Sequence, residues 1–290
     1  MFKFLLFILL QIPLISVADI TSKVNIIEIH IAQNEINGVT TFLSLQQAID
    51  HSYELSSSNI STVKFLIHGG TYNKQAAILR PKQGVHYEFT SEPSNLRLPM
   101  FDGNGEQLTW LRVLSKDGYG SNVIIGNLHI RNYLTAISIE GNRENQREFN
   151  AHNKIYNMRF ENIGQTSPDS PPSTAVIRFV NSRQNDVSGN EFINIKNVQS
   201  CGLLHAVYLA HHSSENLIKR NTFTNLCGSP IRIRDDSNYN KIQLNKFRNI
   251  QTIEAMDEWF CDKNIRHDCT KSEPELRSHL NTFNKNHIEP

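Results

Sequence analysis

A short pattern of residues recurs four times between Asn153 and Ile250. Each copy has an Asn, an aliphatic residue two positions later, a Phe seven positions later, and then Asn followed by an aliphatic residue. The copies are Asn153, Ile155, Phe160, Asn162, Ile163; Asn185, Val187, Phe192, Asn194, Ile195; Asn216, Ile218, Phe223, Asn225, Leu226; and Asn240, Ile242, Phe247, Asn249, Ile250. Successive Phe residues are 32, 31 and 24 positions apart. Such irregular spacing is typical of a solenoid whose coils carry loops at fixed corners.

Each copy predicts two short strands separated by corners. Aliphatic and polar residues alternate within the runs, and Asn or Gly interrupts them, so the period is that of a strand. Asn tolerates the left-handed backbone conformation, and its amide can bond to the backbone of its own turn or of the next coil. We therefore expect Asn190, Asn221 and Asn245 to be structural. The chain is predicted to be all-β.

The first 18 residues resemble an export signal. Lys3 precedes an apolar stretch from Phe4 to Ile15, and Ser16-Val17-Ala18 has small residues where a signal peptidase cleaves. An uncleaved membrane anchor is the alternative, although the stretch is short for a bilayer. We expect residues 19–290 to form one soluble domain that is secreted or periplasmic.

The coils are clearest over residues 122–252, and residues 253–290 are expected to form a disulfide-closed loop and a cap. Four cysteines in an exported chain suggest two disulfides. Cys201 and Cys227 lie about one coil apart, so stacking brings them together, whereas Cys261 and Cys269 would close a short loop. A zinc site that combines a cysteine with His205, His211 or His212 is the alternative, without the usual paired spacing.

The formal net charge of +1 provides no overall field that would attract nucleic acid, or a membrane once the signal is removed. The sequence requires no cofactor and leaves the metal and the oligomeric state unknown. Calcium is possible, because Asp169, Glu191 and Glu215 could contribute oxygen ligands, but they form no compact ligand loop.

Two segments ahead of the repeats resemble the start of the pectate lyase-like superfamily: Phe42-Leu43-Ser44-Leu45-Gln46-Gln47-Ala48-Ile49-Asp50 and Val63-Lys64-Phe65-Leu66-Ile67-His68-Gly69-Gly70-Thr71-Tyr72. In that superfamily a short amphipathic helix covers the end of a single-stranded right-handed parallel β-helix. Leu45, Ala48 and Ile49 fall on one helical face, as a capping helix requires. The resemblance extends from about Phe42 to Phe283. It implies the fold and a polysaccharide as partner, but superfamily members differ in activity.

The candidate site follows from aligning the coils on their Phe residues. Val207-Tyr208-Leu209-Ala210 then stacks on Ile231-Arg232-Ile233-Arg234, and Val176-Ile177-Arg178-Phe179 joins after a one-residue slip. Because side chains alternate along a strand, Tyr208, Arg232 and Arg234 should point outward, and Arg178 could join them. His205, His211, His212 and Asp235 would lie at the margins of this surface.

Such a surface suits an acidic sugar chain, since guanidinium groups bind carboxylates in a bidentate manner. Cleavage of a uronic acid polymer by β-elimination needs a group that neutralises the carboxylate, a base and an acid. We assign neutralisation to Arg234 or Arg232, the base to His205 or alternatively His211, and the acid or a shared base role to Tyr208. Arg178, His211, His212 and Asp235 are predicted to bind substrate. The sequence thus favours a secreted polysaccharide lyase.

Four alternatives remain open. The protein could be a uronic acid epimerase, a glycoside hydrolase, or a glycan-binding or adhesion protein without catalysis. The residues match neither the calcium signature of pectate lyases nor the paired Asp motifs of polygalacturonase-type hydrolases. In the fourth alternative the arginines form surface ion pairs with Asp235, Asp236 or acids of adjacent coils, and His211 and His212 occupy a solvated corner.

Overall fold

The computed structural model of the 290-residue chain describes residues 25–55, 60–106, 108–115, 118–251, 254–267, 269 and 274–289. The predicted export signal over residues 1–18 and the mature start near residue 19 lie outside these ranges. Within the described residues, no helix has the length and apolar character needed to cross a membrane.

The described residues form one α-helix, α1 (Leu45–Glu54), one 3₁₀-helix (Cys201–Leu203), and a long series of short strands. In chain order the strands are β1 (Asn25–Ile31), β2 (Thr41–Phe42), β3 (Ile60–Ile67), β4 (Thr71–Asn73), β5 (Ala77–Leu79), β6 (His86–Ser91), β7 (Met100–Asp102), β8 (Thr109–Leu114), β9 (Tyr119–Gly120), β10 (Val123–Gly126), β11 (His129–Arg131), β12 (Thr135–Glu140), β13 (Asn150–Ala151), β14 (Lys154–Tyr156), β15 (Arg159–Glu161), β16 (Ala175–Val180), β17 (Ser182–Arg183), β18 (Asp186–Ser188), β19 (Glu191–Ile195), β20 (His205–Ala210), β21 (Leu217–Lys219), β22 (Thr222–Leu226), β23 (Ile231–Ile233), β24 (Lys241–Gln243), β25 (Lys246–Ile250), β26 (Met256–Glu258), β27 (Thr282–Asn284) and β28 (His287–Glu289).

These strands build a right-handed parallel β-helix, as predicted. Sheet 1 has the strand order β2-β1-β3-β6-β10-β14-β18-β21-β24-β27, sheet 2 has β28-β25-β22-β19-β15-β11-β7-β4, sheet 3 has β26-β23-β20-β16-β12-β8-β5, and the small sheet 4 has β17-β13-β9. Each coil passes through sheet 1, then sheet 2, then sheet 3, and neighbouring strands in each sheet are parallel. The chain therefore wraps around a single continuous core.

The four copies of the repeat stack in the predicted register. Ile155, Val187, Ile218 and Ile242 are direct partners in sheet 1. Phe160, Phe192, Phe223 and Phe247 are direct partners in sheet 2, and all four rings are fully buried. Their centroids are 5.0, 4.8 and 4.8 Å apart, so the rings form one stacked column along the core.

Asn side chains hold the corners, which confirms the structural interpretation of Asn190, Asn221 and Asn245. The Nδ2 group of Asn190 donates to Asn221 Oδ1 at 2.9 Å, and Asn221 donates to Asn245 Oδ1 at 3.0 Å. A second buried ladder connects Asn153, Asn185, Asn216, Asn240 and Asn281. Corner residues Asn162, Asn194, Asn225 and Asn249 have φ between 49° and 60°, a conformation that Asn tolerates.

Helix α1 covers the N-terminal end of the solenoid, as predicted. Ser44 caps the helix, and Leu45, Ala48 and Ile49 are fully buried against the first coils. Gln46 bonds to the edge strand β5: its Oε1 accepts from the Ile78 backbone N–H at 2.7 Å. The helix thereby satisfies an edge that would otherwise be open to pairing with another chain.

The tail forms a last coil. Strands β26, β27 and β28 pair with β23, β24 and β25, so residues 256–289 extend the three sheets by one strand each. Both predicted disulfides are present, Cys201–Cys227 between adjacent coils and Cys261–Cys269 within the tail loop. Because all four cysteines are bridged, the alternative of a zinc site with a cysteine ligand is wrong.

Candidate functional site

The outer surface of sheet 3 carries the predicted set of arginines. Arg178 pairs with Tyr208 in the strand register, and Tyr208 pairs with Arg232. Val207, Leu209, Ile231 and Ile233 are fully buried on the other side of the same strands, so the alternation is as predicted. We call the outward residues Arg178, Tyr208, Arg232 and Arg234 the arginine face.

Arg234 is held firmly in this surface. Its Nε donates to Glu275 Oε2 at 2.9 Å, and its Nη2 bonds to the other oxygen of the same carboxylate. Nη1 donates to the phenol oxygen of Tyr208 at 3.1 Å. Burial by itself lowers the pKa of Arg234, but the hydrogen bond to Glu275 and the neighbouring Tyr208 raise it above the usual value. Arg234 is therefore a fixed cation beside the Tyr208 oxygen.

Arg232 is paired less completely. Its Nη2 lies 2.8 Å from Asp257 Oδ2, while its Nε is buried and has no hydrogen-bond partner among the described residues. Burial lowers the pKa of Arg232, and the charge of Asp257 counteracts this in part. An unsatisfied N–H on a buried guanidinium costs free energy.

Arg178 lies one coil further towards the N-terminus. Its Nε donates to Ser138 Oγ at 2.9 Å, and its Nη2 donates to Glu140 Oε1 at 3.0 Å. Glu140 also accepts from Arg112. Burial alone would raise the pKa of Glu140, but the hydrogen bonds from Ser138 and Arg112 and the charge of Arg178 lower it overall. One carboxylate thus serves two arginines.

His205 is buried rather than open to a substrate. His205 is 3% exposed, and its Nδ1 lies 2.7 Å from the Ser229 carbonyl oxygen. A carbonyl can only accept, so Nδ1 carries the hydrogen and Nε2 holds the lone pair. Burial, with the charge of Arg232, lowers the pKa of His205 to about 3. The ring stacks on Tyr208, with centroids 5.7 Å apart.

His211, His212, Asp235 and Asp236 lie at the corner that follows the strands and pair with one another. His211 Nδ1 contacts Asp235 Oδ2, and His212 Nδ1 lies 3.0 Å from Asp236 Oδ2. Of the alternative in which the arginines form ion pairs, the part with acids elsewhere along the chain is observed: the partners are Glu140, Asp257 and Glu275 rather than Asp235 or Asp236. His211 is 7% exposed, so a fully solvated corner is wrong for this residue.

Several residues of the surface were not predicted. Trp259 lies against Arg234, whose guanidinium carbon is 4.1 Å from the ring centroid, and Arg266 lies 5.4 Å from the same ring. Glu275 is buried and also accepts from the Cys261 backbone N–H at 3.0 Å. These residues belong to the disulfide loop and its flanks. The spacing of Cys261 and Cys269 predicts a loop in this part of the chain. The loop lies outside the repeats, so no sequence pattern indicated that it would lie beside sheet 3.

The candidate metal ligands are dispersed. Glu191 pairs with Arg159, and Glu215 accepts from Gln184 on a different corner. Across the described ranges, no group of three or more His, Cys, Asp or Glu side chains could hold a metal ion.

Among the described residues around this surface, the arginines outnumber the acids that pair with them. Arg112, Arg178, Arg232, Arg234 and Arg266 lie on or beside it, whereas the partner acids are Glu140, Asp257 and Glu275. The local excess of positive charge contrasts with a net charge of only +1 for the whole chain. The surface is therefore suited to an anionic ligand.

Comparison with known proteins supports the fold. No protein-family model matches the sequence, and neither does any curated protein. Among solved structures, the chain is similar to the crystal structure of an alginate lyase from Paenibacillus sp. str. FPU-7, with a TM-score of 0.57 and 11% sequence identity. The match covers 80% of this chain and 72% of that chain. The right-handed parallel β-helix predicted from the sequence is thus the observed fold.

Proposed function

We propose that this protein is a secreted polysaccharide lyase that cleaves a uronic acid polymer by β-elimination at the arginine face. The carrying observation is the pairing of Tyr208 with two guanidinium groups: Arg234 donates to its oxygen, and Arg232 is its direct strand partner with an unpaired buried Nε. The similar alginate lyase acts on a polymer of this class, which supports the proposal but shows only a shared fold.

The chemistry assigns separate tasks to these groups. A base removes the proton next to the carboxylate, a carbon–carbon double bond forms, the bond to the leaving oxygen breaks, and that oxygen receives a proton. Arg232, with Arg178 and Arg266 nearby, is suited to neutralise the substrate carboxylate. Arg234 acts as a positioning residue for the Tyr208 oxygen, because Glu275 already occupies two of its nitrogen atoms.

Tyr208 is the better candidate for proton transfer. His205 holds its lone pair on Nε2, but a pKa of about 3 makes it a weak base at neutral pH. We therefore assign both proton transfers to Tyr208. As the phenolate, flanked by two cations, its oxygen would accept the carbon proton, and the resulting phenol would donate that proton to the leaving oxygen. His205 supports the phenol ring by stacking.

The same structure also favours one alternative of a different class. Arg178, Arg232 and Arg234 each have a carboxylate partner, so the surface could hold a glycan without reacting with it. A binding protein needs only the charges and hydrogen-bonding groups of this surface, whereas a lyase also needs the Tyr208 oxygen within about 3 Å of the reacting atoms.

The decisive experiment uses the purified chain without residues 1–18 and a panel of uronic acid and neutral polysaccharides. Ultraviolet absorbance of the unsaturated product sugar reports β-elimination, and retention in an affinity gel reports binding. We expect product from one acidic polymer. Tyr208→Phe should lower the rate about 10²- to 10⁴-fold and preserve retention. Tyr239→Phe, which alters an exposed tyrosine at another corner, is the matched control.

The outcomes separate the alternatives. Full activity in Tyr208→Phe would overturn the assignment of Tyr208. Retention of an acidic polymer without absorbance change would identify a binding protein or an epimerase, and solvent deuterium incorporation would then reveal the epimerase. Reducing sugar release without absorbance change would identify a hydrolase.

Secretion is part of the proposal. The sequence pattern of residues 1–18 and the two disulfides support it, because disulfides persist in oxidising compartments. Mass spectrometry of the protein recovered from an exporting host should show an N-terminus near residue 19. Recovery of the uncleaved chain in the membrane fraction would support an anchor instead.

A further inference from the structure

A concave surface lies where sheet 1 meets sheet 2, away from the arginine face on sheet 3. It is an open groove of about 1320 Å³. Its floor contains Lys64 and Glu88 from sheet 1 and Met100 and His129 from sheet 2, and residues 92–98 form one wall. We call it the corner groove. Its volume exceeds the roughly 300–1,000 Å³ that is typical of small-molecule sites, so it has room for an extended ligand.

The wall of the corner groove is fixed in place by Asn95. The Nδ2 group of Asn95 donates to the Ile67 carbonyl at 2.9 Å and to Ser91 Oγ at 2.8 Å. Its Oδ1 accepts from the Gly69 backbone N–H at 2.8 Å. Both polar atoms of the Asn95 side-chain amide thus bond the loop to the solenoid corner. The groove is therefore preformed, and a ligand need not order the loop.

The groove contains charged groups with no ion-pair partner among the described residues. Lys64 and Glu88 face each other across β3 and β6, yet neither forms an ion pair, and Arg97 on the wall has none. His129 adds a polar ring whose Nε2 lies 3.0 Å from Glu161 Oε2, and burial lowers the pKa of His129 more than Glu161 raises it. These groups offer donors and an acceptor to a ligand.

Apolar surface lies beside these charges. Leu96 on the wall is fully exposed, and Leu98 is 40% exposed. Met100 lies on the floor between the wall and His129. Glu92 on the wall accepts from the Ser94 backbone N–H at 2.9 Å, whereas Lys64 and Arg97 have no acidic partner among the described residues. A ligand that combines apolar faces with hydroxyl and anionic groups, as the rings of an acidic sugar chain do, would match this lining.

Two strands on the floor of the groove have no free edge. Strand β6 lies between β3 and β10, and β7 lies between β4 and β11. A peptide could not add to either strand through backbone hydrogen bonds. Sheet 2 ends at β4, whose Thr71 also lines the groove, so recognition over β6 and β7 depends on side chains.

We propose that the corner groove is a second, non-catalytic binding site for an oligosaccharide that carries carboxylates. Lys64 and Arg97 bind the carboxylates, Glu88 accepts from sugar hydroxyls, and Met100 and Leu98 contact the ring faces. The site lies on another side of the solenoid from Tyr208, so binding there does not require that the arginine face be catalytic.

The test measures binding to the full mature chain, using a uronic acid tetrasaccharide and cellotetraose as probes. Lys64→Ala/Arg97→Ala removes both cations from the groove. Lys196→Ala/Lys246→Ala removes two exposed lysines elsewhere and is the charge-matched control. We expect calorimetry to show a class of sites that binds the acidic tetrasaccharide. The affinity of these sites should fall about tenfold or more in Lys64→Ala/Arg97→Ala and stay unchanged in the control variant. Cellotetraose should bind more weakly than the acidic probe.

Hydrogen–deuterium exchange locates the site independently of any variant. Saturation with the acidic tetrasaccharide should protect residues 91–98 as well as the strands of sheet 3. Protection confined to sheet 3, or equal affinity of both double variants, would overturn the proposal. Equal binding of cellotetraose would overturn the assignment of a carboxylated ligand. None of these readouts depends on cleavage, so failure of the lyase assay would leave them unaffected.

Discussion

His205 and Tyr208 are three residues apart on β20, but their surroundings differ. His205 is 3% exposed and donates to a backbone carbonyl, whereas Tyr208 is half-buried and receives a hydrogen bond from Arg234. Burial removes the hydration that a protonated imidazole would have in water, and the surrounding protein does not replace it. Protonation of His205 is therefore unfavourable. Desolvation therefore makes His205 structural and leaves the phenol as the group able to meet a substrate.

The burial of His205 predicts a pH dependence of stability. Its pKa is about 3 in the folded chain and near the usual 6.5 when unfolded, so the unfolded state binds the extra proton below pH 6.5. Stability from this residue is fully present above that pH and is lost as the pH falls towards 3. His205→Asn keeps a donor for the Ser229 carbonyl but cannot titrate.

Urea unfolding at pH 7 and pH 5 checks this expectation. Between pH 7 and pH 5, the free energy of unfolding of the native chain should fall by about 2 kcal/mol more than that of His205→Asn. The other histidines are the same in both proteins, so the difference between the two losses of stability reports on His205 alone. Parallel losses in the two proteins would contradict a buried neutral imidazole.

At the scale of elements, the buried Asn ladders connect one coil to the next. Asn216 accepts from the Asn185 backbone N–H at 3.0 Å and from Asn185 Nδ2 at 2.7 Å, and it donates to Asn240 Oδ1 at 3.0 Å. Each side-chain amide therefore supplies hydrogen bonds that the backbone groups of a corner would otherwise make with water. A ladder residue serves two coils at once.

Removal of one ladder residue should be costly. Asn216→Ala removes the acceptor of the buried Asn185 backbone N–H and Nδ2 and the side-chain donor to the Ser182 carbonyl, while Asn240 Oδ1 keeps the backbone N–H of residue 216. We therefore expect a loss of about 2–4 kcal/mol in the free energy of unfolding. Asn284→Ala, which changes an exposed Asn of the last coil, is the control and should have little effect. Equal effects in a denaturation series would refute the proposed importance of the ladder.

The two disulfides serve different elements. Cys201–Cys227 joins adjacent coils across 26 positions, while Cys261–Cys269 closes a loop across 8 positions that carries Arg266. Cys261 also donates its backbone N–H to Glu275, the carboxylate that holds Arg234. The tail disulfide therefore supports the arginine face, and the other supports the stack.

Double Cys→Ser variants should separate these roles. Chain entropy predicts a stability loss of about 3.5 kcal/mol for the first bridge and about 2.5 kcal/mol for the second. We expect the second variant, Cys261→Ser/Cys269→Ser, to lose more affinity for acidic glycans despite its smaller stability loss. Calorimetric binding and urea unfolding on both variants measure the two effects. The reverse order of affinity losses would show that the tail loop does not support the site.

At the scale of the whole molecule, charge is local rather than global. The net charge is +1, yet five arginines cluster at one side of sheet 3, and Lys64 and Arg97 lie in the corner groove. Long-range attraction of a polyanion is therefore weak, and affinity depends on short-range contacts at these surfaces.

Salt should weaken binding of acidic glycans only. Between roughly 50 mM and 500 mM salt, screening of the partly exposed arginines should reduce affinity several-fold, while affinity for a neutral glycan stays nearly constant. Affinity electrophoresis at both ionic strengths provides the measurement. An acidic polymer whose retention does not change with salt would contradict charge-based recognition.

The sequence by itself determined the coil register, the Asn corners, both disulfides, the capping helix and the outward set of Arg178, Tyr208 and Arg232. These features follow from short-range periods. Alternation along a strand sets which side chains face the core, and a repeated coil length places like residues above one another.

Only the tertiary structure decided what lies above that outward set. Glu275 is 41 positions from Arg234, and Glu140 is 38 positions from Arg178, and both partners lie at the ends of strands or in loops of irregular length. Asp235 follows Arg234 directly in the chain, but the corner turns its side chain towards His211 instead. Loops have no period, so their positions depend on packing over the whole molecule, and this packing buried His205 and brought Trp259 to the arginines.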